Sequence, residues 1–200
     1  MAVEVRIRMR IVFLAAAVAL LLSGPSTHAA DVAAGKAKAE ACIACHGENG
    51  ISRMENTPSL AGQPDQFIQW QLVFFRGGAR KSDVMTPMAE QFSNDDIRNL
   101  GAYFAALTPP NGAADDNSDL SKKGEMAARG RRCASCHTDS YAGTKAVARL
   151  AGQREDYLVK ALHDYKSGAR SGGGGAAMAD VAYPLSEEEI AALAHYLSRL

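Results

Sequence analysis

The sequence predicts an all-α fold of two tandem domains. Three observations predict it. A segment of 21 residues recurs later in the chain. Apolar residues recur at helical spacing with no strand-like alternation, and each half carries one Cys-x-x-Cys-His motif.

The repeat sets the frame. LAGQPDQFIQWQLVFFRGGAR (Leu60–Arg80) lies over LAGQREDYLVKALHDYKSGAR (Leu150–Arg170) without a gap. Phe67 falls on Tyr157, Leu72 on Leu162 and Phe75 on Tyr165. Upstream, CIACH falls on CASCH. Downstream, FSNDDIRNLGAYFAAL falls on LSEEEIAALAHYLSRL. A unit of about 80 residues therefore occurs twice.

Residues 1–30 read as a removable signal peptide. Arg6, Arg8 and Arg10 precede an unbroken apolar run from Ile11 to Leu22. Ser23 to Pro25 break the run, and THAAD offers small residues for cleavage after Ala29 or Ala30. Twelve residues at about 1.5 Å each cover about 18 Å, short of the roughly 30 Å hydrocarbon core, which argues against a membrane anchor. Arg8 and Arg10 are not adjacent, so a twin-arginine signal is not supported. The expectation is Sec-type export to a bacterial periplasm.

The first domain is expected over 31–107. A short helix near Val32–Ala41 precedes the first motif, and a second helix follows LAGQ. A third closes the half, begun by Ser93 with Asp96 and carried by Ile97, Leu100, Phe104 and Leu107 at helical spacing. Thr108 to Ser121 reads TPPNGAADDNSDLS, whose Pro, Gly, Asn and Asp content marks a linker over 108–121. The second domain, 122–200, repeats the order. A helix near Lys122–Arg132 precedes the second motif. The closing helix has a capping box at Ser186 and Glu189, then Ile190, Leu193, Leu197 and Leu200. A unit this small builds only a marginal apolar core, so each needs a buried staple.

From Asp31 onward there are 19 Lys+Arg and 21 Asp+Glu, a net charge of 19 − 21 = −2. This argues against a nucleic-acid binder, which would show a basic face. Residues 31–110 hold 7 basic and 9 acidic side chains, and residues 118–200 hold 12 and 10. The resulting dipole can orient partners during encounter.

The staple is read from CIACH (Cys42–His46) and CASCH (Cys133–His137). Cysteines three apart lie on one helical turn and can form thioethers to the two vinyl groups of a single haem. The histidine that follows then supplies a nitrogen to the iron. Covalent attachment also retains a cofactor outside the cytoplasm. The competing readings are weaker. A thioredoxin-like dithiol needs a preceding strand, a four-cysteine zinc site leaves both histidines unexplained, and an exported even cysteine set would otherwise suggest disulfides. The cofactors expected are two covalently bound haem c groups, held by Cys42, Cys45, Cys133 and Cys136 and ligated by His46 and His137.

Methionine is the remaining common ligand on the far side of each iron, and histidine–methionine ligation marks electron-transfer cytochromes. After His137 the second half has only Met178, eight residues before Ser186. Met85 lies eight residues before Ser93, and Met88 lies five before it. The repeat therefore selects Met85 and Met178 and leaves Met88 as a packing residue. Met54, eight residues after His46, is a poor candidate. His163 and His195 fall on Val73 and Ala102, so both read as ordinary helix or surface residues. Either in place of Met178 stays an alternative.

Together these motifs resemble the dihaem cytochromes of the cytochrome c4 type, over essentially all of 31–200. The resemblance implies two tandem class I cytochrome c domains facing each other with their haems close. It implies Gly35 with Tyr103, and Gly124 with Tyr196, at the crossing of first and last helices. It also implies that a proline carbonyl, here Pro58 in TPSLAG, accepts the N–H of the proximal histidine. The second half departs from this by placing Ala148 there, and Gly172 to Gly175 implies a longer, looser methionine loop. The function implied is periplasmic electron transfer between a quinol-oxidising complex or dehydrogenase and a terminal oxidase or reductase. The alternatives are a dedicated electron-accepting subunit of a dehydrogenase and, remotely, a dihaem peroxidase. No nucleic acid is expected, membrane contact only through partners, and a monomer.

Overall fold

The computed structural model describes residues 29–170, 172 and 175–200. Apart from Ala29 and Ala30, the expected signal peptide lies outside the described residues. So do 171, 173 and 174, the last two within the looser second loop expected at Gly172 to Gly175.

The first half begins with α1 (Val32–Ala39), capped by Asp31, whose side chain accepts the N–H groups of Ala33 and Ala34. A 3₁₀ turn (Glu40–Cys42) and the single turn α2 (Ile43–His46) carry the first motif. Then come α3 (Asp65–Arg76), α4 (Met85–Glu90) and α5 (Asn94–Ala106). The second half repeats this order as α6 (Ser118–Gly130), α7 (Ala134–His137), α8 (Glu155–Lys166), α9 (Gly175–Ala182) and α10 (Glu187–Ser198). The fold is all-α. Among the described residues the only β pairings are two isolated bridges, Arg80 with Arg170 and Thr144 with Val147. No described helix is long and apolar enough to cross a membrane.

Each half has its own core. Ile68, Leu72 and Phe75 of α3 meet Ile97, Leu100 and Phe104 of α5 in the first. Leu158 of α8 meets Leu185 and Ile190, Leu193 and Leu197 of α10 in the second. Both closing helices start with full capping boxes, Ser93 with Asp96 and Ser186 with Glu189. These satisfy two otherwise orphaned N–H groups at each helix start.

The first and last helices of each half cross at a glycine. A Cβ on Gly35 would stand 2.1 Å from the Asn99 carbonyl oxygen and 2.9 Å from Tyr103 Cβ. A Cβ on Gly124 would stand 2.1 Å from the Ala192 carbonyl oxygen and 2.5 Å from Tyr196 Cβ. Only glycine permits this approach.

Three details differ from the sequence reading. Helix α6 starts at Ser118, inside the expected linker, because the Asn117 side chain accepts the Leu120 N–H at 3.1 Å and caps it early. Leu200 lies past the end of α10 and is 40% exposed, so the apolar stripe ends at Leu197. His195 is buried, not on the surface. Its Nε2 is 3.3 Å from Asp115 and its Nδ1 3.5 Å from Glu155, while Arg199 donates to Asp116 at 2.8 Å. These contacts tie the linker to α10 and α8. His163 is exposed, 2.6 Å from Glu187.

Candidate haem sites

Each motif is wound as a single helical turn between two longer helices, so its two cysteines point along one side of the turn. No disulfide joins any of the four cysteines. Burial pushes the Cys42 thiol up to about 11, helped by nearby Cys45, and burial also pushes the Cys133 thiol up. Both cysteines pack against the core of their own half.

The histidines are the best-defined groups. His46 and His137 are 7% and 8% exposed. His46 Nδ1 lies 2.9 Å from the Pro58 carbonyl oxygen, and His137 Nδ1 lies 2.8 Å from that of Ala148. A carbonyl can only accept, so Nδ1 carries the proton and Nε2 keeps its lone pair. Burial lowers both imidazole pKa values, and the carbonyl hydrogen bonds pull the other way. A neutral ring with its tautomer set by a backbone carbonyl is the form that ligates a metal. The residues present therefore fit haem. The proline-to-alanine departure at Ala148 leaves the acceptor in place, since the bond uses only the backbone.

Met85 opens α4 and packs against the core of the first half. Its N–H donates to Ser82 Oγ at 3.1 Å, and Thr86 Oγ1 accepts the Ser82 N–H at 3.1 Å. Met88 is half-buried one turn later. Met178 is half-buried in α9.

Sequence reasoning missed the polar contact between the two halves. Gln63 donates to the Arg149 carbonyl at 2.9 Å and accepts the Arg149 N–H at 3.0 Å. Gln153 donates to the Ser59 carbonyl at 2.9 Å and accepts the Ser59 N–H at 2.8 Å. The two glutamines are equivalent positions of LAGQ, so the repeat is joined by a reciprocal pair of bonds. Arg80 and Arg170, equivalent in GAR, meet across the same boundary. Both reach Gln71 Oε1, at 2.6 and 3.0 Å, and the Tyr157 hydroxyl, at 3.3 and 3.4 Å. Burial pushes the Tyr157 phenol up, but the positive charges of Arg170 and Arg80 outweigh it and hold it down at about 8. The available signal was the recurrence of polar residues where neighbouring positions had diverged.

The cytochrome c family model matches residues 121–200. The chain is 36% identical to cytochrome c4 of Azotobacter vinelandii, covering 90% of this chain and 93% of that protein. It is 32% identical to a thiosulfate dehydrogenase electron acceptor of Thiomonas intermedia, covering 84% of this chain and 82% of that protein. The crystal structure of reduced recombinant cytochrome c4 from Pseudomonas stutzeri is similar with a TM-score of 0.79 at 33% identity, covering 86% of this chain and 100% of that one.

Proposed function

The chain belongs to the cytochrome c4 family of electron-transfer cytochromes, and on that premise we propose that it carries electrons in the periplasm between a respiratory donor and a terminal oxidase or reductase. It holds two covalently bound haem c groups. In this reading Cys42 and Cys45 anchor the first and Cys133 and Cys136 the second. His46 with Met85, and His137 with Met178, ligate the irons. The first domain runs over 31–107, the second, expected over 122–200, begins with α6 at Ser118, and residues 1–30 direct export and are removed.

The observation that carries the reading is the pair of histidine bonds to Pro58 and Ala148, which leaves one ligating nitrogen at each motif. Bound haem supplies a one-electron ferric–ferrous couple. The protein holds each imidazole in one orientation and buries it away from water, and Met85 and Met178 would each supply a thioether ligand. With His46 and Met85 holding one iron and His137 and Met178 the other, neither site would leave a ligand position for a substrate, which supports a carrier over a peroxidase. The acidic first half and basic second half orient encounter with donor and acceptor.

The purified protein should take up two electrons per chain reversibly. It should also be reduced by quinol-oxidising membranes without a tightly bound partner. The similarity to a thiosulfate dehydrogenase electron acceptor favours a second reading, a dedicated subunit of a periplasmic dehydrogenase. Isolation only together with a catalytic chain, and reduction by thiosulfate only in its presence, would establish that reading instead.

A further inference from the structure

Gln153 and Gln63 do more than join the two halves. Pro58 C=O and Ser59 N–H belong to one peptide group. The oxygen of that group accepts His46 Nδ1–H at 2.9 Å, and its N–H donates to Gln153 Oε1 at 2.8 Å. The other half repeats the arrangement. The Ala148–Arg149 peptide accepts His137 Nδ1–H at 2.8 Å and donates to Gln63 Oε1 at 3.0 Å. Both glutamines are buried, 4% exposed for Gln63 and 5% for Gln153. Gln153 Oε1 also accepts the Arg154 N–H at 3.0 Å.

We propose that Gln153 is a positioning residue for the His46 haem and Gln63 for the His137 haem, so that each domain tunes the iron of the other. The physical route is short. A hydrogen bond accepted from a peptide N–H polarises that peptide and makes its carbonyl a stronger acceptor. A stronger acceptor draws the imidazole Nδ1 proton and makes Nε2 more basic toward the metal. A more basic ligand favours the ferric state and lowers the reduction potential. Bonds to both the N–H and the carbonyl of Ser59 also fix the orientation of the acceptor. The effect crosses the domain boundary in both directions, so separation of the domains would release both controls at once. This inference rests on His46 and His137 being the iron ligands.

The test uses the full haem-loaded protein, with Gln153→Met, Gln63→Met and Gln153→Glu. Two quantities are read: the Nδ1–H resonance of each ligating histidine in the ferrous protein, and the two reduction potentials by NMR-monitored titration. Gln153→Met should weaken the His46 Nδ1–H hydrogen bond and raise the potential of that haem, with His137 unmoved. Gln63→Met should do the reverse. Gln153→Glu keeps an oxygen acceptor for the Ser59 N–H, so the His46 resonance should stay close to its original place even if the domains fit less well. The proposal is overturned if each variant moves the haem of its own domain, moves both alike, or moves neither. A failure of the ligand assignment is separate: it shows in the unsubstituted protein as histidine rings without haem-shifted resonances.

Discussion

Arg80 and Arg170 face each other across the domain boundary in an antiparallel bridge, and both guanidinium groups reach the Tyr157 hydroxyl. Each also lies 4.5 Å from the centre of an equivalent aromatic ring, Phe75 for Arg80 and Tyr165 for Arg170. Two like charges are thus held together by shared acceptors and flanking π faces. The phenol oxygen and Gln71 Oε1 are what make that proximity tolerable.

Tyr157→Phe removes one of those acceptors and leaves the ring. Two donors then lose a partner near the interface, which should lower stability by about 1–3 kcal/mol. Denaturant unfolding of the haem-loaded protein measures this. An unchanged midpoint would mean that the arginines find other acceptors.

The glycine crossings are sharper still. Gly124→Ala sets a methyl group against the Ala192 carbonyl, where only backbone movement can relieve the clash. The loss should be about 1–3 kcal/mol, seen as a lower Tm, and Gly35→Ala should behave alike in the other half. A neutral result at either position would contradict the helix crossing described for it.

Acid should loosen the interface through Asp156. Its Oδ2 accepts the Asn56 N–H of the other domain at 2.8 Å. Partial burial raises its pKa, but Arg154 and the N–H groups of Asn56 and Tyr157 outweigh this and hold it below the ordinary carboxylate value. A depressed carboxylate contributes stability above its unfolded pKa and loses it as pH falls through the folded one. The native protein should therefore exceed Asp156→Asn by about 1 kcal/mol near neutral pH, with the difference vanishing below the carboxylate range. A pH-independent difference would rule out titration of Asp156 as its cause.

Most of the fold was legible because the chain states it twice. The capping boxes at Ser93 and Ser186 and the stripes from Ile97 and Ile190 mark the closing helices without ambiguity. The start of α6 was not legible, since Asn117 caps it from within a stretch whose composition reads as linker. The burial of His195 was hidden for a related reason. It involves Asp115, which approaches once the linker folds back on α10, and Glu155 at the start of α8. At the sites, residue type and spacing point to cysteines and histidines directly. The carbonyls of Pro58 and Ala148 are reached only through the family resemblance, and Ala148 shows that the chemistry there needs only backbone. The roles of Gln63 and Gln153 were visible as repetition, but their crossed pairing is a property of the assembled domains.

The most direct test of a dihaem carrier with histidine–methionine ligation is the charge-transfer band of sulfur-ligated ferric haem, measured in single variants. Met85→Ala and Met178→Ala should each remove half of that band while both haems stay covalently attached, and Met88→Ala should leave it whole. Loss of the band in Met88→Ala, or its full survival in Met85→Ala or Met178→Ala, would contradict the ligand set on which the account stands.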